Sequence, residues 1–177
     1  MNLRRWLVML ASCAALPWSV ASGKEVRKMN SLQLNSSAFA NGGAIPSRYT
    51  CDGDDSNPPL VIDRVPMGTK SLALIMDDPD APVGLWVHWV VWNIPPQTRQ
   101  IGEKSLPAGA LQGRNSWGRT SYGGPCPPSG THRYFFKLYA LDTILTLGAG
   151  STKTDLEKAM EGHVIGKGEL MGTYKRR

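Results

Sequence analysis

The sequence lacks the local motifs by which common hydrolases and nucleotide-binding enzymes are identified. It contains no Gly-x-Ser-x-Gly nucleophile elbow, no phosphate-binding P-loop and no His-Glu-x-x-His zinc motif. No segment combines basic and aromatic residues as nucleic-acid-binding surfaces do, so we expect no nucleic-acid partner. Internal repeats and a linker to a second domain are also missing, and the 177 residues are therefore predicted to form one domain behind a short N-terminal segment.

Long hydrophobic runs are scarce, and the one that stands out is at the N-terminus. Arg4 and Arg5 precede an apolar run at residues 6–20, and small residues follow at 19–21. This order predicts a secretory signal peptide at residues 1–21, a polar leader at 22–30 and the domain at 31–177, in a periplasmic or secreted protein. A membrane anchor is disfavoured because Pro17 interrupts a run shorter than the roughly 20 residues that span a bilayer. Lipoprotein processing at Cys13 is the other alternative.

Cysteine is rare as well, with three residues in the whole chain. Cleavage after residue 21 leaves Cys51 and Cys126, and an even number in an oxidising compartment predicts one disulfide. Two free thiols are the alternative. The cleavage also removes two arginines, which leaves 18 basic against 14 acidic residues, a net charge of +4. The surface is therefore expected to be modestly basic.

The composition favours strands over helices. The chain has 19 Gly and 13 Pro, and both residues end or weaken helices. Short apolar runs bounded by Gly or Pro predict buried strands at residues 71–76, 86–94 and 134–141. Weaker patterns predict strands at 32–35 and 169–174. A helix is predicted only at residues 154–162, with Thr154 and Glu157 as its capping box and Gly162 at its end.

Each of the three main strands adjoins a polar cluster. The first runs into Asp-Asp-Pro-Asp-Ala-Pro at residues 77–82, where the two prolines stiffen a loop that carries three carboxylates. Strict alternation along the second strand predicts that His88 shares a face with Trp86, Val90 and Trp92. The third strand follows a Gly/Pro-rich loop at residues 123–131.

The start of this third strand is the chemically richest part of the sequence. Alternation puts His132 and Tyr134 on one face and Arg133 on the other. Any one of these clusters has an ordinary structural explanation, since prolines form turns and a single histidine is more often a packed residue than a ligand. Their combination and order are what point to a function.

These motifs, taken together, resemble the phosphatidylethanolamine-binding protein family, also called the Raf kinase inhibitor family. The resemblance covers the Asp-Pro-Asp-Ala-Pro loop, the Trp-x-His strand and the Gly/Pro loop that ends in His-Arg-Tyr. Tyr-Thr-Cys-Asp-Gly at residues 49–53 and Leu-Met-Gly-Thr-Tyr at 170–174 are typical of its bacterial branch. It extends over residues 31–175. The resemblance implies a mainly β, antiparallel β-sandwich-like fold with few peripheral helices.

The resemblance also implies a small anion pocket. Its residues would be Asp78, His88, His132 and Tyr134, with Gly124 and Pro125 in the wall and Trp86 at the rim. Two imidazoles and a phenol can donate hydrogen bonds to phosphate-like oxygens, and a carboxylate beside an imidazole fixes its tautomer. Two roles stay open for Asp80, which are an ion pair with Arg133 and contact with the ligand.

The function expected from these residues is the binding of a small anionic or phosphorylated ligand without catalysis and without a cofactor. The alternatives are a protein-interaction module, such as a protease inhibitor or a signalling modulator, and a phosphoester hydrolase. In a hydrolase the two histidines and the aspartate would ligate zinc or act as acid and base. Peripheral contact with lipid headgroups and a homodimer are further expectations of the resemblance.

Overall fold

The structure is a computed structural model that describes residues 30–176. The predicted signal peptide at 1–21, the processing alternative at Cys13 and the leader up to residue 29 lie outside the described residues. Within them the chain is mainly β-sheet, as predicted. The elements are β1 Asn30–Ser31, β2 Gln33–Ser36, β3 Leu60–Asp63, β4 Ser71–Asp78, β5 Trp86–Ile94, β6 Gln100–Ile101, β7 Leu111–Gln112, β8 Thr131–Leu141, α1 Lys153–Met160 and β9 Val164–Lys175.

The strands form two sheets. The larger one has six strands in the order β1-β9-β8-β4-β5-β7, and the smaller one has three in the order β2-β3-β6. All pairs are antiparallel except β1 with β9. Three segments far apart in sequence, β4, β5 and β8, are therefore neighbours at the centre of the larger sheet. The prediction of a mainly antiparallel, sandwich-like fold is confirmed.

Apolar side chains pack on both faces of the larger sheet. The larger core cluster lies between the sheets and joins Leu34, Leu60, Ile62 and Ile101 of the small sheet to Leu72, Leu74, Met76, Tyr134, Phe136 and Leu138 of the large one. On the opposite face, Leu156 and Met160 of α1 cover Ala73, Ile75, Val90 and Trp92. Burial on both sides explains why β4 is a continuous apolar run.

The predicted strands exist, and most are longer than the patterns indicated. β5 has the predicted bounds, whereas β8 begins three residues earlier and β9 begins at Val164 rather than at residue 169. β4 continues through Asp77 and Asp78, which the sequence placed in the following loop. Asp77 can be part of a buried strand because Lys137 on β8 donates to both of its carboxylate oxygens at 2.8 Å.

The predicted helix is present as α1, but its predicted capping box is wrong. Thr152, not Thr154, is the N-cap, and its hydroxyl accepts a hydrogen bond from the backbone N–H of Asp155. The Asp155 carboxylate in turn accepts from the N–H of Thr152 at 2.8 Å. A search for Glu or Gln at the third helical position misses this box because a shorter aspartate closes it here. The helix ends at Met160, and Gly162, with φ of +78°, turns the chain towards β9.

A β-bulge interrupts the pairing of β4 with β5. Met76 lies opposite Trp89, and the next residue of β4, Asp77, lies opposite Val87. Two steps along β5 therefore match one step along β4, and His88 is the additional residue.

The bulge changes the face on which His88 lies. His88 and Trp86 line the same cavity, and the His88 ring packs against Tyr134, which belongs to the core between the two sheets. Val90 and Trp92 pack on the opposite face, with the helix. The prediction that all four side chains of β5 share a face is therefore wrong for Val90 and Trp92, because strict alternation does not hold through a bulge.

Candidate functional site

A cavity of about 320 Å³ lies where the polar ends of β4, β5 and β8 meet. This volume is at the lower end of the range for small-molecule sites. The residues that line it are Asp78, Ala81, Pro82, Val83, Trp86, His88, Trp117, Cys126, Pro128 and His132. The structure thus brings together four of the residues predicted for the anion pocket, which are Asp78, His88, His132 and Trp86.

Asp78 and His132 form a buried pair in this cavity. Nδ1 of His132 donates to Oδ2 of Asp78 across 2.7 Å, and both side chains are less than a tenth exposed. The other carboxylate oxygen, Oδ1, accepts from the backbone N–H of Asp80 at 2.8 Å. Asp78 therefore has a bond on each oxygen and acts as a positioning group. Its contact with Nδ1 leaves Nε2 of His132 directed away from the carboxylate.

His88 has a different partner and a different electrostatic character. Its Nδ1 lies 2.7 Å from the carbonyl oxygen of Gly123. Burial lowers the pKa of His88, and the carbonyls of Gly123 and Gly124 and the charge of Asp78 oppose this shift only in part. Its second nitrogen, Nε2, is buried and makes no hydrogen bond to any described residue. The two imidazoles are therefore not equivalent.

Tyr134 packs against both imidazoles but is not among the residues that line the cavity. Its ring centroid lies 5.2 Å from that of His88 and 6.4 Å from that of His132. Within residues 30–176 the buried hydroxyl makes no hydrogen bond. Burial and the neighbouring charge of Asp78 raise the pKa of Tyr134, so that it stays a neutral phenol.

Two tryptophans form one side of the cavity. Trp86, at the start of β5, is half-buried, and its ring meets that of Trp117 edge-on with centroids 5.3 Å apart. Trp117 also packs edge-on against His88 at 5.0 Å and is 40% exposed. Sequence reasoning missed Trp117 because it lies in an irregular loop. The Asn-Ser-Trp-Gly-Arg turn at residues 115–119 could have indicated it, because a tryptophan in a turn is not expected to pack in the core and is therefore a candidate for a binding site.

Gly124 and Pro125 lie beside the cavity and not in its lining. The N–H of Gly124 donates to Asp55, and the carbonyl of Pro125 accepts from the N–H of Cys51. The cavity wall on this side consists of Cys126 and Pro128. The predicted wall is thus displaced by a few residues, because the backbone of 124–125 is turned towards the loop that carries Cys51 and Asp55.

A disulfide joins Cys51 to Cys126, as predicted. The two Cα atoms are 5.4 Å apart, and the residues are separated by 75 positions in sequence. Because Cys126 lines the cavity, the bond ties one wall of the site to a distant loop.

Asp80 pairs with Arg133 and so stiffens the loop beyond β4. Its carboxylate accepts from Nε and Nη2 of Arg133 and also from the Arg133 backbone N–H, with distances of 2.7–2.9 Å. These bonds lower the pKa of Asp80 to about 2. Of the two roles open to Asp80, the structure shows the ion pair. Asp80 does not line the cavity.

Among residues 30–176, no group of three or more His, Cys, Asp or Glu side chains is arranged to share a metal ion. Over the same residues, no helix has the length and apolar character needed to cross a membrane.

Comparison with known proteins identifies the family. Residues 35–175 match the profile described as phosphatidylethanolamine-binding protein. The chain belongs to the phosphatidylethanolamine-binding protein family. A UPF0098 protein of Methanothermobacter thermautotrophicus is 55% identical over 150 residues, which are 82% of this chain and 99% of the relative. A UPF0098 protein of Aquifex aeolicus is 48% identical over 82% of this chain and 89% of that relative.

Solved structures of other members share the fold. The phosphatidylethanolamine-binding protein homologue CT736 of Chlamydia trachomatis superposes with a TM-score of 0.81 at 45% identity, over 84% of this chain and 99% of the other. YbcL of Escherichia coli, described as a member of the mammalian family, has a TM-score of 0.77 at 32% identity, over 82% and 99%. Family membership predicted from the motifs is thus confirmed by sequence and by fold.

Proposed function

We propose that this protein is an exported, non-catalytic binding protein whose cavity holds a small phosphate-type anion. The observation that carries the proposal is the buried His132–Asp78 pair in the lining of a cavity that His88 also lines, with the Nε2 of His88 buried and without a hydrogen-bond partner in the described residues. A buried polar atom without a partner is costly, and a ligand that hydrogen-bonds to it removes that cost. A histidine whose Nδ1 donates to a carboxylate can, when protonated, donate a charge-assisted hydrogen bond from Nε2 to an anion.

Exposed apolar side chains at the rim of the cavity favour a ligand that carries an organic group on its phosphate. Val83 is 78% exposed and Trp117 is 40% exposed, and both line the cavity. Apolar side chains at the mouth of a polar site can contact the part of a ligand that projects from it. A phosphorylated small molecule fits this arrangement, and so does a lipid headgroup presented at a membrane surface. A protein partner that covers the rim is the second candidate, and the same two exposed side chains favour it.

The binding proposal predicts a large effect of His132→Ala on anion affinity. Loss of the imidazole removes a hydrogen-bonding group from the cavity and leaves the buried Asp78 without its His132 partner, so affinity for phosphate and phosphoethanolamine should fall by at least about tenfold. His88→Ala should also weaken binding, because it removes the other imidazole. Isothermal titration calorimetry measures both effects.

His163→Ala is the matched control for these variants. His163 is the third histidine, and it pairs with Asp142 on the surface outside the cavity. The control should bind phosphate as the wild type does. Unchanged affinity in both His88→Ala and His132→Ala would show that the anion binds elsewhere or not at all.

The non-catalytic part of the proposal is supported by what lines the cavity. Among residues 30–176, no serine, threonine, lysine or free thiol belongs to its lining, since Cys126 is in the disulfide. Both oxygens of Asp78 are already hydrogen-bonded. Purified protein is therefore expected to release no product from p-nitrophenyl phosphate above the rate of the His132→Ala variant. A rate that exceeds that background and disappears with His132→Ala would make the protein a phosphoester hydrolase instead.

A further inference from the structure

The hydrogen-bond character of His88 is fixed by the backbone. A carbonyl oxygen can only accept a hydrogen bond, so Nδ1 of His88 carries a proton and donates it to Gly123 across 2.7 Å. In the neutral ring Nε2 then has a lone pair and no hydrogen. It can accept a hydrogen bond but cannot donate one. No described residue supplies a donor to it.

The surroundings of His88 favour the neutral ring. The side chain is 2% exposed, and burial lowers its pKa although the charges of Asp78 and Asp77 act in the opposite direction. The rings packed edge-on against it belong to Tyr134 and Trp117, and both are uncharged. The nearby carboxylate of Asp78 already forms its close pair with His132 and not with His88. The imidazole paired with a carboxylate is therefore that of His132 and not that of His88.

The cavity contains donors as well as this acceptor. His132, in its charged form, donates from Nε2, because its Nδ1 is directed to Asp78. The indole Nε1–H of Trp86 is a donor only, and it is buried without a partner in the described part of the chain. The site therefore offers N–H donors to ionised oxygens and one lone pair to a ligand hydrogen.

We infer that the cavity selects a phosphate-type anion that still carries one proton. The O–H of the ligand donates to Nε2 of His88, and its ionised oxygens accept from His132 and Trp86. This inference rests on the proposed function, because it names the form of anion that the same cavity binds. Monoanions of phosphate monoesters and phosphonates have the required O–H. Sulfates, sulfonates and phosphodiesters do not, and they would place an oxygen lone pair against that of His88. Because the common phospholipid headgroups are phosphodiesters, the inference narrows the two ligands of the proposed function to the phosphorylated small molecule.

A matched pair of ligands tests the inference. Methylphosphonate and methanesulfonate have the same tetrahedral shape, and at about pH 6 both are chiefly monoanions that differ by one acidic hydrogen. Calorimetric titration at constant ionic strength should give methylphosphonate an affinity at least about tenfold higher. Dimethyl phosphate, a diester monoanion without an O–H, should bind as weakly as methanesulfonate.

The outcomes separate this inference from the proposed function. Equal affinity for methylphosphonate and methanesulfonate overturns the inference and leaves anion binding in place. Failure of inorganic phosphate and of both these ligands to bind overturns the proposed function and, with it, the inference.

Variants show whether His88 is the origin of the selectivity. In His88→Gln the side-chain amide has both a donor and an acceptor and can present either one. The ratio of the affinity for methylphosphonate to that for methanesulfonate should therefore fall towards one. In His132→Gln both affinities should fall while the ratio is kept. Thermal unfolding of each variant confirms that it is folded. A His88→Gln protein that is folded and retains the full ratio would contradict the assignment to His88.

The tautomer can also be measured without any substitution. Two-bond ¹H–¹⁵N spectra of the wild-type protein at about pH 6 should show His88 as a neutral ring with an unprotonated Nε2. A hydrogen on Nε2 in the ligand-free protein would overturn the inference, because the ring would then donate where it is required to accept.

Discussion

Replacing both Cys51 and Cys126 with serine is expected to lower the free energy of unfolding by about 4 kcal/mol. The bond joins residues 75 positions apart, and its loss lets the unfolded chain explore many more conformations. For a domain of this size the melting temperature should fall by about 10 °C. Denaturant unfolding of the oxidised wild type and of the double variant measures the difference.

The reduced wild-type protein is the control for this prediction. It has the same thiols without the bond, so its stability should match that of the double serine variant. The folded shape should survive in both, because the N–H of Cys51 still bonds to Pro125 at 3.1 Å and that of Gly124 to Asp55 at 2.7 Å. Equal stability of oxidised and reduced protein would mean that the bond restricts little in the unfolded chain.

Replacing Lys137 with methionine is expected to destabilise the fold by about 3 kcal/mol. The carboxylate of Asp77 is fully buried, and the Lys137 ammonium donates to both of its oxygens. Without that cation a buried charge has no partner, and the folded state must either retain it at a high cost or take up a proton. Chemical denaturation at neutral pH gives the size of the loss.

Two further variants isolate the cause of this loss. Lys70→Met makes the same change at an exposed lysine that forms no ion pair with the described residues, and it should be close to neutral. Adding Asp77→Asn to Lys137→Met removes the orphaned charge, so the double variant should recover a good part of the stability. A double variant as unstable as Lys137→Met alone would assign the loss to packing of the lysine stem.

Much of the fold was predictable because its signals are local. β5 was predicted with its correct bounds since it is an apolar run that ends at Pro95, and α1 was predicted from its apolar spacing. The family could be identified because the three main motifs occur in a fixed order. Two errors occurred at ends of elements, where Asp155 replaces the expected glutamate and where β4 retains two carboxylates inside the sheet. A third occurred within β5, where the bulge puts Val90 and Trp92 on the face opposite His88.

The geometry of the candidate site was less predictable, because it depends on contacts between distant segments. The sequence suggested that Asp78 and His132 belong together, but it could not show that Gly123 would fix the ring of His88 through its backbone. That bond changes the expected chemistry, since it fixes Nε2 of the neutral His88 ring as a hydrogen-bond acceptor. Trp117 was missed for the same reason, because only the folded loop places it on His88.

The irregularity in β5 has a consequence for protein engineering. Deleting His88 would remove the register shift between Met76 and Asp77 and leave Trp89 opposite Met76 and Val87 opposite Asp77, while the second shift, between Leu72 and Leu74, would remain. Sequence redesign that optimises regular strand pairing would therefore remove the bulge at His88, and the imidazole with it. Conversely, inserting one histidine as the additional residue of a bulge in a regular antiparallel strand is a way to add an imidazole to the side of a binding cavity.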